Sequence, residues 1–341
     1  MRRVLLELSL AEPLAGWDGL TLGVGWLLLL VAAIWATLRY RDARPWTADE
    51  WISIGTFAAI AGAVVLFGPS RGLTRIPLFG YGFFVLLGFL CGTALAQRRL
   101  RAVGWPPDLA FRVGFWILLA GVVGARAFFL AQHGGDGFAG KSVVQGLGYI
   151  VNLPDGGLVL YGGVIAGTLA YLAFCFAMRL PPLRLADILT PSVLVGIAFG
   201  RLGCLMNGCC YGDVCTLPWA ITFPELSPAY VMMINRGFLL PGETVPLHPT
   251  QVYSTISATL LAVATSLYFW RRNGDGSVVA LGLVGYALHR FLVEFLRGDE
   301  LGQLGTGLTI SQLISLGIAA LGVALAVFVG TRNRPDGEFR G

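Results

Sequence analysis

Residues 200–212 read Gly200-Arg201-Leu202-Gly203-Cys204-Leu205-Met206-Asn207-Gly208-Cys209-Cys210-Tyr211-Gly212, and they close an apolar run that begins near Ile188. An arginine at the edge of a hydrocarbon-embedded helix is costly unless it is paired or faces water, so by default it marks a site. The glycines let backbones approach closely and admit positive φ where the helix stops. A plain helix cap with a snorkelling arginine would look the same in isolation. The rest of the chain decides between the two.

Of the 341 residues, 56% are apolar and 13% charged, with a mean hydropathy of +0.73. A soluble domain carries about a quarter charged residues, so the composition is that of a polytopic membrane protein. The net charge of +5 calls for no nucleic-acid partner, because the basic residues fall mostly in short loops between apolar runs. Glu7 and Glu12 interrupt the short apolar stretch behind Arg2-Arg3, and no small-residue cleavage site follows closely. A removable signal peptide is therefore not expected, and the first span should act as the signal.

Runs long enough to cross the hydrocarbon, about 17 to 25 residues each, occur at 19–39, 50–68, 77–97, 111–132, 158–179, 187–205, 250–270, 277–297 and 309–330. The fold expected is thus an all-α polytopic membrane protein of about nine helices. One set of loops holds Arg39, Arg41, Arg44, then Arg98, Arg99, Arg101, then Arg179 and Arg184, Arg271 and Arg272, and finally Arg332, Arg334 and Arg340. The alternate set is poorer, so the rich side should be cytoplasmic, with the N-terminus outside and the C-terminus inside. Two outer connections are long. Residues 133–157 are glycine-rich, and residues 206–249 hold enough Cys, Pro and Trp for a small extracytoplasmic subdomain, with Trp219–Phe223 as a short strand.

That orientation brings polar residues of six helices to one leaflet: Tyr81, Arg126, Tyr161-Gly162-Gly163, Arg201, His248-Pro249-Thr250-Gln251, and the group Arg290, Glu294 and Arg297. Tyr286, Arg290, Glu294 and Arg297 recur at i, i+4, i+8 and i+11 and so share one helical face. Arg126, Arg201, Arg290 and Arg297 against Glu294 leave local positive charge. Guanidinium forks match phosphate oxygens bidentately, and a phospholipid offers its phosphate at this depth. The residues by themselves suggest a phospholipid headgroup site reached sideways from the bilayer.

With these motifs in order, the chain resembles the bacterial prolipoprotein diacylglyceryl transferases. The marks are Tyr81-Gly82, Arg126, Asp155-Gly156-Gly157 with Gly162-Gly163-Val164-Ile165, Asp187, Gly200-Arg201-Leu202-Gly203 with Asn207 and Gly212, His248-Pro249-Thr250-Gln251 with Tyr253, and Arg290 with Glu294 and Arg297. The resemblance covers about residues 77–330. It implies a seven-helix core over 77–330, an added transmembrane helical pair at 1–76 and a cytoplasmic tail at 331–341. It also implies transfer of diacylglycerol from phosphatidylglycerol to a lipobox cysteine of an exported preprolipoprotein at the bacterial inner membrane, releasing glycerol phosphate, with no metal or organic cofactor.

On that resemblance Arg201 and Arg290 hold the phosphate and stabilise the departing glycerol phosphate, with Arg126 and Arg297 in support and Glu294 fixing Arg290. Tyr81, Asn207, Gly212, Gly162 and Gly163 join the lipid site, and Tyr81 and Tyr161 border the acceptor path. The chain departs from the family pattern at Cys204 and Cys209, where Asn and Glu are usual, and at Tyr161, where the family has a histidine. The thiolate is the nucleophile, so His248, His289 or Glu294 must stand in for that histidine. Cys91 and Cys175 read as apolar fillers. Cys204, Cys209, Cys210 and Cys215 read first as one or two structural disulfides. A zinc site is less expected without a C-x₂-C knuckle, and a nucleophilic Cys209 ranks third. The rival functions are a transferase with another acceptor and a non-enzymatic protein that binds or moves lipid.

Overall fold

A computed structural model of the chain describes residues 4–9, 21–23, 75–138, 142, 145–146, 149–150, 156–225, 227–272, 274–297 and 307–332. Among the described residues three short strands come first: β1 (Val4–Ser9), β2 (Thr21–Gly23) and β3 (Arg75–Phe79). They form one sheet in the order β2-β1-β3, with β1 parallel to β2 and antiparallel to β3. Among the described residues eight named helices follow: α1 (Gly80–Ala102), α2 (Asp108–Phe138), α3 (Leu160–Ala177), α4 (Pro182–Asn207), α5 (Pro228–Asn235), α6 (Thr250–Phe269), α7 (Ser277–Glu294) and α8 (Ile310–Arg332). All but α5 are long and apolar enough to cross a membrane, seven spans among the described residues.

The protein is therefore an all-α polytopic membrane protein in its spanning part, and the seven spans fall close to those expected. Four details differ. Thr21–Gly23, expected inside a first span at 19–39, is a strand; the rest of that span and the whole of 50–68 lie outside the described residues. The helix expected from residue 77 begins at Gly80, because Arg75–Phe79 pairs with β1 instead. It runs on to Ala102, so Arg98, Arg99 and Arg101 belong to its last turns and not to a loop. Cations there complement the helix dipole. Trp219–Phe223 is not a strand, and a single bridge ties Ile221 to Leu247.

Local chemistry sets the helix ends. Gly104 (φ +75) and Pro106-Pro107 separate α1 from α2. Asp108 opens α2, where a negative charge suits the helix N-terminus. Pro182 starts α4, and Ser227 caps α5 by accepting from the Tyr230 amide, with Pro228 in the first turn. α8 begins with a capping box: the Thr309 amide donates to Gln312 Oε1 at 3.0 Å, and the Gln312 amide donates to Thr309 Oγ1 at 3.2 Å.

The chain clusters into two compact units. One comprises residues 1–84, 203–210 and 222–245; the other comprises 85–202, 211–221 and 246–341. Within the second unit the apolar core gathers Ala96, Leu100, Leu109, Ala110, Val113, Cys175, Leu185, Ile188, Phe269 and Val278. These come from the C-terminal ends of α1, α3 and α6 and the N-terminal ends of α2, α4 and α7. In an up-and-down bundle that is one end, and it is the arginine-rich one. Arg99 is buried there, with Nη2 donating to Ser266 Oγ at 2.6 Å and its guanidinium over the Phe269 ring. Leu160, Phe176, Leu260 and Leu267 are exposed on the outside, as a lipid-facing surface requires.

Asp187 locks this end. Its side chain is fully buried in α4, yet it accepts from the Gly276 amide at 2.8 Å and the Val279 amide at 2.9 Å. Gly276 holds φ +103 as the residue before α7 and has no side chain to cap with. Asp187 thus caps α7 from a neighbouring helix, and Arg272 stands 3.9 Å away to balance its charge. Asp187→Asn is expected to cost about 1–3 kcal/mol, because one amide donor then faces an –NH₂ group. A fall in the thermal midpoint of the detergent-purified protein checks this, and an unchanged midpoint would count against the capping role.

Candidate functional site

The opposite end of the second unit carries a second set of buried polar groups. Glu294, 2% exposed at the last residue of α7, is the centre of one cluster. Its Oε2 accepts from Arg290 Nη1 one turn earlier, and Arg297 Nε lies 3.8 Å from the same oxygen. Its Oε1 accepts from Thr309 Oγ1 at 3.0 Å, and Arg290 Nη2 donates to Ser311 Oγ at 2.8 Å. A buried carboxylate is tolerated only when paired and hydrogen-bonded, and this one is both. The i, i+4 spacing of Arg290 and Glu294 makes the pair, and the α8 capping box aims Thr309 at it. Thr309 and Ser311 were not expected here; the Thr-x-x-Gln signature at 309–312 was the available sign.

Arg201 lies in the last turns of α4, and His289 precedes Arg290 in α7. Glu294 is engaged by Arg290, Arg297 and Thr309, which removes it as a base for a thiol.

Gly212 joins three segments. Its amide donates to the His248 carbonyl at 2.9 Å, the next amide, of Asp213, donates to the Leu296 carbonyl at 2.8 Å, and the His248 amide returns to Asp213 at 2.9 Å. A Cβ at 212 would stand 2.6 Å from both the Leu296 carbonyl oxygen and His248 Cβ, and 2.8 Å from Thr250 Cγ2. Only glycine fits. Beside it a chain of side chains runs from Trp219, whose Nε1 donates to Tyr253 Oη at 2.8 Å, to His248 Nδ1, 3.4 Å from the same hydroxyl.

Arg126, expected in support of the lipid site, holds backbone carbonyls in this structure. It is 7% exposed, and its Nε donates to Ile150 O at 3.0 Å while Nη1 donates to Gly156 O at 2.8 Å and Gly157 O at 3.0 Å. Nη2 donates to Tyr149 O, and the guanidinium lies over the Phe129 and Tyr149 rings. It ties the segment before α3 to α2. Gly162 and Gly163 likewise pack helices. A Cβ on Gly162 would lie 2.4 Å from the Gly124 carbonyl oxygen, and one on Gly163 would lie 3.1 Å from that of Gly121. Small residues let membrane helices touch backbone to backbone. Tyr161 sits at the start of α3 with 44% of its surface exposed. Arg126→Lys, which keeps the charge but not the fork, should speed amide exchange at Tyr149, Ile150, Gly156 and Gly157. Unchanged exchange there would overturn the tether.

In the first unit, Tyr81 packs on Gly203, where a Cβ would come within 3.1 Å of its ring. Asn207 ends α4, half-buried. All six cysteines stand as thiols in this structure. The sulfurs of Cys204, Cys209 and Cys210 lie within 4.8 Å of one another.

A cavity of about 410 Å³ opens between α2, α3, α4 and α7 in the second unit. Its walls are almost wholly apolar, with Ile117, Val164, Leu189, Val193 and Leu283 among them, and Tyr286 lines it one turn before Arg290.

Comparison with known proteins agrees with this arrangement. The family model described as prolipoprotein diacylglyceryl transferase matches residues 72–328. A phosphatidylglycerol–prolipoprotein diacylglyceryl transferase of Rhodopirellula baltica is 27% identical, over 94% of this chain and 87% of its own. One from Clostridium tetani is 30% identical over 74% of this chain and 93% of its own, and one from Clostridium perfringens is 31% identical over 73% and 90%. With most of the chain matched and its carboxylate-anchored arginines gathered at one end of seven spans, the protein belongs to the prolipoprotein diacylglyceryl transferase family.

Proposed function

We propose that this multi-pass membrane protein transfers the diacylglyceryl group of phosphatidylglycerol to the thiol of a lipobox cysteine in an exported preprolipoprotein, releasing glycerol phosphate. The observation that carries the reading is the apolar cavity reaching Tyr286, one turn from the Arg290–Glu294 pair. An acyl chain fits the first and a phosphate the second. The thiolate sulfur attacks the glyceryl carbon esterified to phosphate, forming a carbon–sulfur bond. The carbon–oxygen bond breaks, and its electron pair leaves on the phosphate oxygen.

Arg201 and Arg290 stabilise that developing charge, as preorganised donors do. Glu294 holds Arg290 and Arg297 in place. The thiol proton passes to a base, and His248, which sits beside Tyr253 at the start of α6, is the candidate for it. Arg126, Gly162, Gly163 and Gly212 serve by placing the elements that carry these groups. Tyr81, Tyr161 and Asn207 border the substrates' path. Residues 1–76 are an addition to the core at 77–330, residues 206–249 receive the acceptor outside the membrane, and 331–341 form a cytoplasmic tail. The arginine distribution supports a bacterial inner-membrane protein with N-terminus out and C-terminus in.

Incubation of the purified protein with labelled phosphatidylglycerol and a lipobox peptide tests this. The expected result is a peptide heavier by one diacylglyceryl group and resistant to thiol reagents. Lipid binding that depends on Arg201, with no product and no rescue of cells lacking their own enzyme, would leave the non-enzymatic reading in its place.

A further inference from the structure

The meeting of Cys204, Cys209 and Cys210 has a local cause. Gly208, at φ +72, follows the last residue of α4. Its amide donates to the Leu205 carbonyl at 3.2 Å, and the Cys209 amide donates to the Cys204 carbonyl at 3.1 Å. This crossed pair ends many helices at a left-handed glycine, and it folds the residue after the glycine back onto the one five positions earlier. That contact is usually apolar. Here it joins two cysteines, and Cys209 Sγ lies 3.7 Å from the Cys204 carbonyl oxygen.

Cys210 then takes φ +59, a conformation uncommon outside glycine, and its sulfur completes the group. The Ala229 amide holds the turn by donating to the Gly208 carbonyl at 3.1 Å. The side chains of Phe223 and Ser227 close over Gly208 at 3.3 Å from where a Cβ would stand. All three cysteines are half-buried. Among the described residues no further His, Cys, Asp or Glu ligand atom joins them. The C-x₄-C-C spacing lacks the usual knuckle, and the helix cap supplies the turn that a knuckle would.

We propose that Cys204, Cys209 and Cys210 form a binding site for a thiophilic d¹⁰ metal ion, which they hold as three thiolates. With metal–sulfur bonds of about 2.3 Å the sulfurs would sit about 4 Å apart, so a group already within 4.8 Å needs only a small contraction. Soft thiolates select monovalent copper and zinc. Three ligands suit trigonal Cu(I), whereas Zn(II) would add a water to complete its tetrahedron. Uptake releases the three thiol protons to solvent. The bound ion would pin the last turn of α4 to the segment after it, independently of the transfer reaction.

The test uses the full chain, purified in detergent, reduced and kept anaerobic, and titrated in separate arms with Cu(I) and with Zn(II) against a chromogenic chelator. One ion per chain is expected, with a thiolate-to-metal charge-transfer band in the copper arm. Uptake in either arm supports the site and names its metal. Loss of even an outer-shell partner costs roughly 10–100-fold in affinity, so C204S, C209S and C210S should each lose at least that. C91S and C215S should bind as the parent does. Failure of the reduced parent chain to take up either ion would overturn the proposal, as would uptake that survives in all three variants. The parent titration does not depend on the variants folding, and transfer activity measured alongside separates this result from the fate of the transferase reading.

Discussion

Glu294→Gln is expected to lower diacylglyceryl transfer by about 10²–10³-fold, the cost of losing one preorganised charge-stabilising group, while the protein stays folded. The amide can accept from Thr309 Oγ1 or from Arg290 but not from both, because they meet different oxygens of the carboxylate, Oε1 and Oε2. It cannot balance two guanidiniums, and its –NH₂ group must face the other donor. Arg290 is then free to swing toward Ser311 alone, and the phosphate loses a donor held at a set position. Glu294→Ala goes further. It leaves buried positive charge without its counter-ion, which costs about 3–5 kcal/mol, so the thermal midpoint should fall together with activity. The informative comparison is the Gln variant: normal turnover with a normal midpoint would mean that Glu294 only supports the bundle.

Gly212→Ala should be nearly as damaging, for a steric reason. The new methyl would meet the Leu296 carbonyl oxygen and His248 Cβ at 2.6 Å, and neither is the end of a flexible side chain. The hydrogen bonds of Gly212 and Asp213 to His248 and Leu296 would have to open, separating the C-terminal end of α7 from the start of α6. Overpacking of this kind costs about 1–3 kcal/mol, and because the junction adjoins Arg297 the activity should fall more than the midpoint does. Gly317→Ala in α8, where a Cβ would meet nothing within 4 Å, is the control. It should be neutral or gain up to about 1 kcal/mol of helix propensity. Equal behaviour of the two variants in melting and transfer assays would dispose of the junction argument.

Much of the spanning architecture was legible in the sequence, because transmembrane helices announce themselves by length and hydropathy alone. Each must satisfy its own backbone hydrogen bonds within the segment, so the evidence for it is local. The Arg290–Glu294 pair was legible for the same reason: i, i+4 neighbours meet on any helix. The thiol cluster was half legible, since Gly208 after a helix foretells a left-handed cap, but which sulfurs it gathers depends on Cys210 taking φ +59.

Other assignments needed the tertiary structure. Nothing in the order of residues says that Arg126 holds the carbonyls of Tyr149, Ile150, Gly156 and Gly157. Nor does it say that Gly162 and Gly163 serve a helix–helix approach, or that Asp187 caps a helix some ninety residues away. A charged group's role depends on which partners lie within about 4 Å, and those partners come from remote parts of the chain. Hydrophobic length and local periodicity thus determined by themselves that this chain spans the membrane and pairs Arg290 with Glu294. Only the packing of the spans decided which arginines, glycines and carboxylates hold one another in the frame, because short-range forces act between neighbours in space.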